Sequence, residues 1–132
     1  MIFLDTSALV KRYVREDDTD LVIRLMDADP AWSACGVAVV EAHVTLCARL
    51  VAPALREEAR AMLEMEWRRF AVVALNEEVL ARAVEISCQM GARTLDSVHL
   101  AAAQQLPLGL TFVTFDERQA AAARALGFAV AP

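Results

Sequence analysis

The chain has 132 residues, the usual size of one folded domain, which leaves no room for a catalytic domain beside a separate binding domain. Hydrophobic residues make up 58% of the sequence and charged residues 23%, a composition that supplies a large apolar core and excludes a disordered protein. With 13 Lys and Arg against 18 Asp and Glu, the formal net charge is −5, which excludes a general basic coat for nucleic acid. We therefore expect one globular domain over residues 1–132, in which any polyanionic partner binds at a local site.

No segment of the sequence has the features of a membrane anchor or a secretion signal. Between Asp96 and Asp116 there is no formal charge, but Gln104 and Pro107 interrupt this stretch, which predicts a helix, a turn and a strand rather than a membrane span. The N-terminus has no basic segment and reaches Asp5 after only four residues, so no signal peptide is predicted. We expect a cytoplasmic protein with no membrane partner.

The three cysteines, Cys35, Cys47 and Cys88, are odd in number and widely spaced. They form no Cys-x-x-Cys or Cys/His pattern, so the sequence favours neither a disulfide framework nor a zinc site. We expect all three to be small, buried apolar residues in a reducing compartment.

The first half of the chain alternates short apolar runs with helical periodicity. Thr6 and Ser7 offer hydroxyl groups that can cap a helix directly after the first apolar run. Apolar residues then recur at helical spacing until Pro30. The predicted elements are, in chain order, a strand at 2–4, a helix at 8–14, a helix from 21 up to Pro30, a strand at 31–34, a mostly buried helix at 37–50 and an amphipathic helix at 54–69.

The second half repeats this alternation and has clearer boundary residues. Asn76 and Thr94 are placed to cap helices, and Gly91 to end one. Asp116 and Gln119 have the spacing of a capping box. The predicted elements are an apolar strand at 70–75 covered on both faces, helices from 77 to Gly91 and from 95 to 105, a strand at 110–115, a helix at 117–126 and a final edge strand at 128–131.

Strands and helices alternate along the chain, and the connections between them are short. This order predicts an α/β fold in which helices cover both faces of a mostly parallel sheet of about four to five strands. Folds of this kind place their functional sites at the carboxyl ends of the strands.

Four acidic residues stand in apolar surroundings. Asp5 and Asp116 directly follow apolar strands, Glu41 lies in an apolar helix, and Asp96 lies at the start of another helix. Isolated buried carboxylates are costly, which makes these four the informative acids of the chain. Eight other acids lie among charged neighbours and are predicted to be solvated: Asp17, Asp18, Asp20, Glu57, Glu58, Glu64, Glu77 and Glu78.

Each of the four acids also has a purely structural explanation to be weighed. Asp116 can act as a helix N-cap, and Asp96 can be an ordinary first-turn acid that favours the helix dipole. Asp5 is harder to explain in this way, because Thr6 or Ser7 could cap the helix. Glu41 is hardest, because no basic residue stands three or four positions before or after it.

If the four carboxylates meet at one sheet edge, their mutual repulsion requires a cation. An oxygen-only ligand set favours Mg²⁺ or Mn²⁺ over Zn²⁺. A metal ion with retained waters is suited to the hydrolysis of a phosphodiester, because it activates water and balances charge on the leaving oxygen.

Four motifs in this sequence resemble those of the PIN-domain ribonucleases, and specifically the VapC toxins of type II toxin–antitoxin systems. The resemblance spans nearly the whole chain. The motifs are Asp5-Thr-Ser-Ala-Leu-Val-Lys11, Glu41 in its apolar helix, Thr94-Leu-Asp96-Ser-Val-His99-Leu-Ala-Ala-Ala103, and Phe112-Val-Thr-Phe-Asp116-Glu-Arg-Gln with Leu126-Gly127-Phe128.

This resemblance implies a metal-dependent endoribonuclease with a PIN-like fold. The family's acidic quartet, which holds Mg²⁺ or Mn²⁺, matches Asp5, Glu41, Asp96 and Asp116. Its hydroxyl positions match Thr6, Ser7 and Thr114, which are expected to orient the ligands or water. The family further implies a homodimer and a cognate antitoxin that inhibits the enzyme.

Basic residues near these motifs are candidates for contacts with RNA phosphates, with ordinary surface charge as the simpler explanation. These candidates are Lys11, Arg12, Arg15 and Arg93. His99 shares a helix face with Asp96 and could approach the site, although a core histidine is the preferred interpretation.

Other classes of protein explain the sequence less well. A receiver-type Mg²⁺-binding domain needs a lysine late in the chain, but Lys11 is the only lysine. A haloacid-dehalogenase-type phosphatase needs an Asp two residues after the first, where this chain has Ser7. A PIN-domain nuclease in RNA processing, outside a toxin–antitoxin pair, stays open as an alternative, as does a non-catalytic module.

Overall fold

The computed structural model describes all 132 residues, which form five strands and seven helices. The strands are β1 (Ile2–Leu4), β2 (Trp32–Cys35), β3 (Ala71–Val73), β4 (Thr111–Val113) and β5 (Ala129–Ala131). The helices are α1 (Thr6–Lys11), α2 (Thr19–Ala28), α3 (Val37–Arg49), α4 (Pro53–Trp67), α5 (Glu77–Met90), α6 (Thr94–Ala103) and α7 (Glu117–Ala125).

The five strands form one sheet in the order β3-β2-β1-β4-β5, and all four pairings are parallel. The central strand β1 aligns Ile2 with Trp32 of β2 and Phe3 with Phe112 of β4. The predicted α/β class, with a mostly parallel sheet of four to five strands, is confirmed.

Successive residues of β1 enter two different hydrophobic clusters. Ile2 and Leu4 belong to one cluster and Phe3 to the other, and all three side chains are buried. Because successive side chains of a strand point to opposite faces, the sheet has a packed core on each face. This is the three-layer arrangement that fully apolar parallel strands require.

The ends of α5 lie where the sequence places them. The Asn76 side chain accepts a hydrogen bond from the Val79 N–H at 2.9 Å and so caps the helix. Gly91 follows the last helical residue with φ of +65°, a left-handed conformation that glycine adopts without steric cost.

Two predictions about burial are wrong. The strand predicted at 70–75 to be covered on both faces is the edge strand β3, where Ala71 and Val72 are exposed. The helix predicted to be mostly buried, α3, buries a single stripe of small and apolar residues, and Val40 and Val44 on another face are 60% and 63% exposed. Apolar composition therefore overstated burial, because neither the edge position nor the single packed face is visible in composition.

Two predicted helix caps are also wrong. Asp5, and neither Thr6 nor Ser7, caps α1, because its carboxylate accepts the Ala8 N–H at 2.9 Å. Arg93 occupies the N-cap position of α6 without a side-chain hydrogen bond, and Thr94 is already helical. The predicted cap residues instead occupy the first or second position of the helix.

The predicted burial of the cysteines holds only for Cys35; Cys47 and Cys88 are exposed. Both lie on faces of α3 and α5 that the core does not cover. None of the seven helices combines the length and the apolar character that crossing a membrane requires.

Candidate functional site

The fold brings residues from four separate segments to the carboxyl edge of the sheet. Asp5 directly follows β1, and Asp116 follows β4 after two residues. The Asp5 N–H donates to the Val113 carbonyl at 3.1 Å, which ties the ends of these neighbouring strands together. Glu41 approaches from α3 and contacts Thr6, the residue after Asp5, while Asp96 in the first turn of α6 lies close enough to Asp116 and Glu41 to feel their charges.

Asp5 is held by a dense set of hydrogen bonds. Its carboxylate is 5% exposed and accepts from the Ser7 hydroxyl at 2.8 Å, the Thr114 hydroxyl at 2.9 Å and the Ala8 N–H at 2.9 Å. Burial nevertheless raises the pKa of Asp5, because desolvation outweighs these donors. A buried carboxylate in this state is stabilised by any cation placed beside it.

The turn between β4 and α7 is tied to the start of α1. The Phe115 N–H donates to the Ser7 hydroxyl at 2.9 Å, and the Asp116 N–H donates to the Thr114 hydroxyl at 3.1 Å. The predicted capping box is present only in part: Asp116 accepts the Gln119 N–H at 3.1 Å, but Oε1 of the buried Gln119 lies 2.8 Å from the Thr114 hydroxyl.

Glu41 has two partners in the site. The Thr6 hydroxyl donates to Glu41 Oε2 at 2.5 Å, and His99 Nε2 lies 2.8 Å from the same oxygen. Burial raises the pKa of Glu41, but the hydrogen bonds from His99 and Thr6 outweigh it, so the pKa lies below its ordinary value. Glu41 is therefore held as a carboxylate.

His99 is the site residue whose role the sequence did not establish. It is buried at 3% exposure, as a core histidine would be, but it also contacts Glu41, which is 58 positions away in the chain. The available signal was its spacing of three residues from Asp96, which places both side chains on one face of α6.

Asp96 and Asp116 interact through their charges. Burial raises the pKa of Asp96, and the negative charge of Asp116 raises it further, while Arg93 acts in the opposite direction. Arg93 Nη2 lies 3.9 Å from Asp116 Oδ2. Asp116 also caps α7, accepting the Arg118 N–H at 2.8 Å, so its structural explanation holds.

The donor chemistry at this edge fits a hydrated hard cation. No group of three or more His, Cys, Asp or Glu side chains is arranged to hold one metal ion directly. Mg²⁺, however, usually keeps several waters and binds only one or two protein carboxylates. Asp5 and Glu41, each hydrogen-bonded to a neighbouring Ser or Thr hydroxyl, supply the oxygen ligands that such an ion needs. Burial raises the pKa of Asp5, so a cation beside this carboxylate would stabilise its charged form.

The basic residues near the site have different surroundings. Arg12 is bound by the buried Glu66, an acid that the sequence did not single out, and so has a structural partner. Arg15 pairs with the exposed Asp20. Lys11 lies close to the site, beside Thr6 and Ser7. Arg93 is 65% exposed beside Asp116.

Comparisons with known proteins agree with this geometry. The PIN domain family matches residues 2–125. The chain is 34% identical to a protein named Ribonuclease VapC47 from Mycobacterium tuberculosis, over 99% of this chain and 96% of that protein. The fold is similar to FitAcB from Neisseria gonorrhoeae, with a TM-score of 0.77, 22% identity and coverage of 100% and 97% of the two chains.

A toxin–antitoxin complex from Klebsiella pneumoniae contains a chain of the same fold, with a TM-score of 0.74 and 16% identity, covering 100% of this chain and 97% of the other. These two structures show the likeness of fold, whereas the family match and the VapC47 relative span nearly the entire sequence. The chain therefore belongs to the PIN domain family, among its VapC members.

Proposed function

We propose that this chain is a Mg²⁺- or Mn²⁺-dependent endoribonuclease toxin of the VapC type, acting as one domain in the cytoplasm. Asp5, Glu41, Asp96 and Asp116 are the proposed metal-binding acids. The name of the relative, Ribonuclease VapC47, supports RNA as the substrate. The chemistry is hydrolysis of a phosphodiester by water, in which the 2′-hydroxyl of the RNA takes no part.

The observation that carries this proposal is the convergence of the four acids at one edge of the sheet. Asp5 and Asp116 follow the adjacent strands β1 and β4, and the charges of Asp116 and Glu41 both raise the pKa of Asp96. Acids that repel one another in a partly buried site are costly for folding alone. A bound divalent cation would offset this repulsion and would attract the anionic substrate to the site.

In this mechanism the hydroxyl groups and His99 keep the acids in fixed positions. Thr6 and His99 hold Glu41 as a carboxylate, while Ser7 and Thr114 fix the orientation of Asp5. When bound, the divalent metal supplies a Lewis acid that promotes water as the nucleophile and balances charge on the phosphodiester. The carboxylates hold the metal and orient the attacking water.

The decisive experiment replaces Asp5 with Asn and measures RNA cleavage with Mg²⁺ and with a chelator. Asn caps a helix as well as Asp does, so Asp5→Asn keeps the cap on α1 and removes the charge. We expect a folded protein with no cleavage, and we expect chelation to abolish cleavage by the wild type. Asp96→Asn is expected to give the same result.

The matched control is Asp27→Asn, which removes one negative charge from an exposed residue of α2 outside the site. It should cleave RNA at the wild-type rate. Circular dichroism and thermal unfolding establish that each variant is folded. If purified Asp5→Asn cleaved RNA as fast as the wild type, the proposed mechanism would be wrong.

A cognate antitoxin and a homodimer complete the proposal. The toxin–antitoxin complex from Klebsiella pneumoniae, which has the same fold, supports the antitoxin as a partner. Light scattering of the purified chain tests the dimer. Co-expression with the product of a small adjacent reading frame tests the antitoxin, which should form a complex and stop cleavage. Cleavage unaffected by that product would favour a role in RNA processing.

A further inference from the structure

A cavity of about 270 Å³ opens beside the candidate acids, between α1, α3 and Phe115. Its lining is mainly polar and includes two cationic side chains, Lys11 and Arg49. Arg49 lies at the end of α3 and was not among the basic residues that the sequence singled out. The structure therefore assembles a cationic pair from residues 38 positions apart (49 − 11).

The two cations share one carboxylate. Lys11 Nζ lies 3.2 Å from Glu16 Oε1, and Arg49 forms an ion pair with the other oxygen of Glu16. Two positive charges and one negative charge leave a net charge of +1 in the cavity. This net positive charge favours the entry of an anion.

Lys11 is held in place, which reduces the entropy lost on binding an anion. Its side chain is only 12% exposed, and its Nζ donates to the Asp17 carbonyl at 2.8 Å. The same Nζ lies 4.5 Å from the centre of the Phe115 ring, a cation–π contact. The cation is thus fixed at the cavity wall.

The cavity borders the candidate acidic site. Thr6 and Ser7 line it, and their hydroxyls donate to Glu41 and Asp5. Thr6 and Ser7 therefore stand between these two carboxylates and the cavity that Lys11 and Arg49 line.

We propose that this cavity binds an RNA backbone phosphate adjacent to the phosphodiester that is hydrolysed, through Lys11 and Arg49. This inference rests on the proposed ribonuclease function. A chain with a net charge of −5 and an acidic site repels RNA, so binding requires local cations next to that site. Arg12 and Arg15 do not line the cavity.

The test is the double variant Lys11→Gln/Arg49→Gln, assayed for RNA cleavage in Mg²⁺. Loss of a contact that is equal in the ground state and the transition state raises KM and leaves kcat unchanged. For two partly exposed ion contacts we expect KM to rise about tenfold. In an Asp5→Asn background, the slope of log affinity for single-stranded RNA against log salt should fall in magnitude by about 0.7, as expected for the loss of one phosphate contact.

The matched control is Arg24→Gln/Arg68→Gln, which also removes two positive charges. Both arginines are exposed, lie outside the cavity and form no ion pair. It should retain wild-type KM and salt slope. Arg49→Lys keeps the charge and should also bind RNA as the wild type does. Arg49→Gln alone, a half-exposed position, provides the same test if the double variant is unstable.

The outcomes separate this inference from the proposed function. If the wild type cleaves RNA and the cavity variant has an unchanged KM, the cavity does not bind RNA and only this inference is wrong. If the cavity and control variants weaken binding equally, overall charge is the cause and the inference is again wrong. A wild type that does not cleave RNA in Mg²⁺ would overturn both.

Discussion

Arg12 and Glu66 form a two-point ion pair that joins α1 to α4. Arg12 Nη2 lies 2.8 Å from Glu66 Oε1, and Nε lies 3.2 Å from Oε2. The Tyr13 hydroxyl donates to the same carboxylate at 3.0 Å. Burial raises the pKa of Glu66, but the hydrogen bonds and charge of Arg12 outweigh it, so the pKa lies below its ordinary value.

This pair predicts a pH-dependent contribution to stability. A carboxyl whose pKa is lower in the folded chain stabilises the fold above its ordinary pKa, and this contribution is lost as the pH falls through the lowered value. We expect Glu66→Gln to reduce the free energy of unfolding by about 2 kcal/mol at pH 7. Urea unfolding should show this difference shrinking below about pH 4.

Glu64 on the same helix provides the control, because it is exposed. Glu64→Gln should change the free energy of unfolding by no more than about 0.5 kcal/mol at either pH. A Glu66→Gln effect of the same size at pH 7 and pH 3 would mean that the ion pair does not stabilise the fold.

His99 is expected to act through Glu41. Replacement of His99 by Leu removes the partner of Glu41 Oε2 while keeping an apolar side chain in a buried position. We expect cleavage or apparent Mn²⁺ affinity to fall about 10- to 100-fold. His99→Gln keeps a donor near the position of Nε2 and should recover part of this loss.

Electron paramagnetic resonance measures Mn²⁺ binding to both His99 variants without reference to activity. Thermal unfolding separates a positioning role from a loss of stability. If the Leu variant bound Mn²⁺ and cleaved RNA as well as the wild type does, His99 would have no role in the site.

Thr114 is expected to support both Asp5 and the turn that carries Asp116. Thr114→Val keeps the shape of the side chain but removes the donor to Asp5 and the acceptor of the Asp116 N–H. We expect a loss of about 1–3 kcal/mol in the free energy of unfolding, with slower cleavage. Thr114→Ser retains the hydroxyl and should resemble the wild type; if Val and Ser behave alike, the hydroxyl has no role.

Hydrolysis by water makes a prediction about the products. If the 2′-hydroxyl takes no part, no 2′,3′-cyclic phosphate forms, and an RNA with a 2′-deoxyribose on the 5′ side of the cleaved bond is still cut. Mass spectrometry of the fragments tests the first expectation, and the substituted RNA tests the second. A cyclic phosphate end would indicate attack by the 2′-hydroxyl instead.

Local signals in the sequence predicted most element types correctly, because caps and strand ends depend on neighbouring residues. Asn76 and Gly91 mark the ends of α5, and Asp5 and Asp116 stand at strand ends. Parallel sheets carry their sites at the carboxyl ends of the strands, so the sequence was sufficient to predict that these two acids lie at the same edge of the sheet.

The features that the sequence did not predict depend on contacts between distant segments. The contact of His99 with Glu41 spans 58 positions, and the pairing of Arg12 with Glu66 spans 54. The exposure of β3 follows from its place at the sheet edge, which its composition does not encode. Packing between segments, rather than local preference, determines these features.

The central position of β1 has a consequence for the order in which the protein is made. Strand β1 is synthesised long before its neighbour β4, and Asp5 obtains its Thr114 partner only when that later strand has been made. A nascent chain that ends before residue 111 lacks this pairing, and one that ends before Asp96 also lacks the third acid. The candidate site therefore cannot form until the ribosome has translated the chain beyond Asp116.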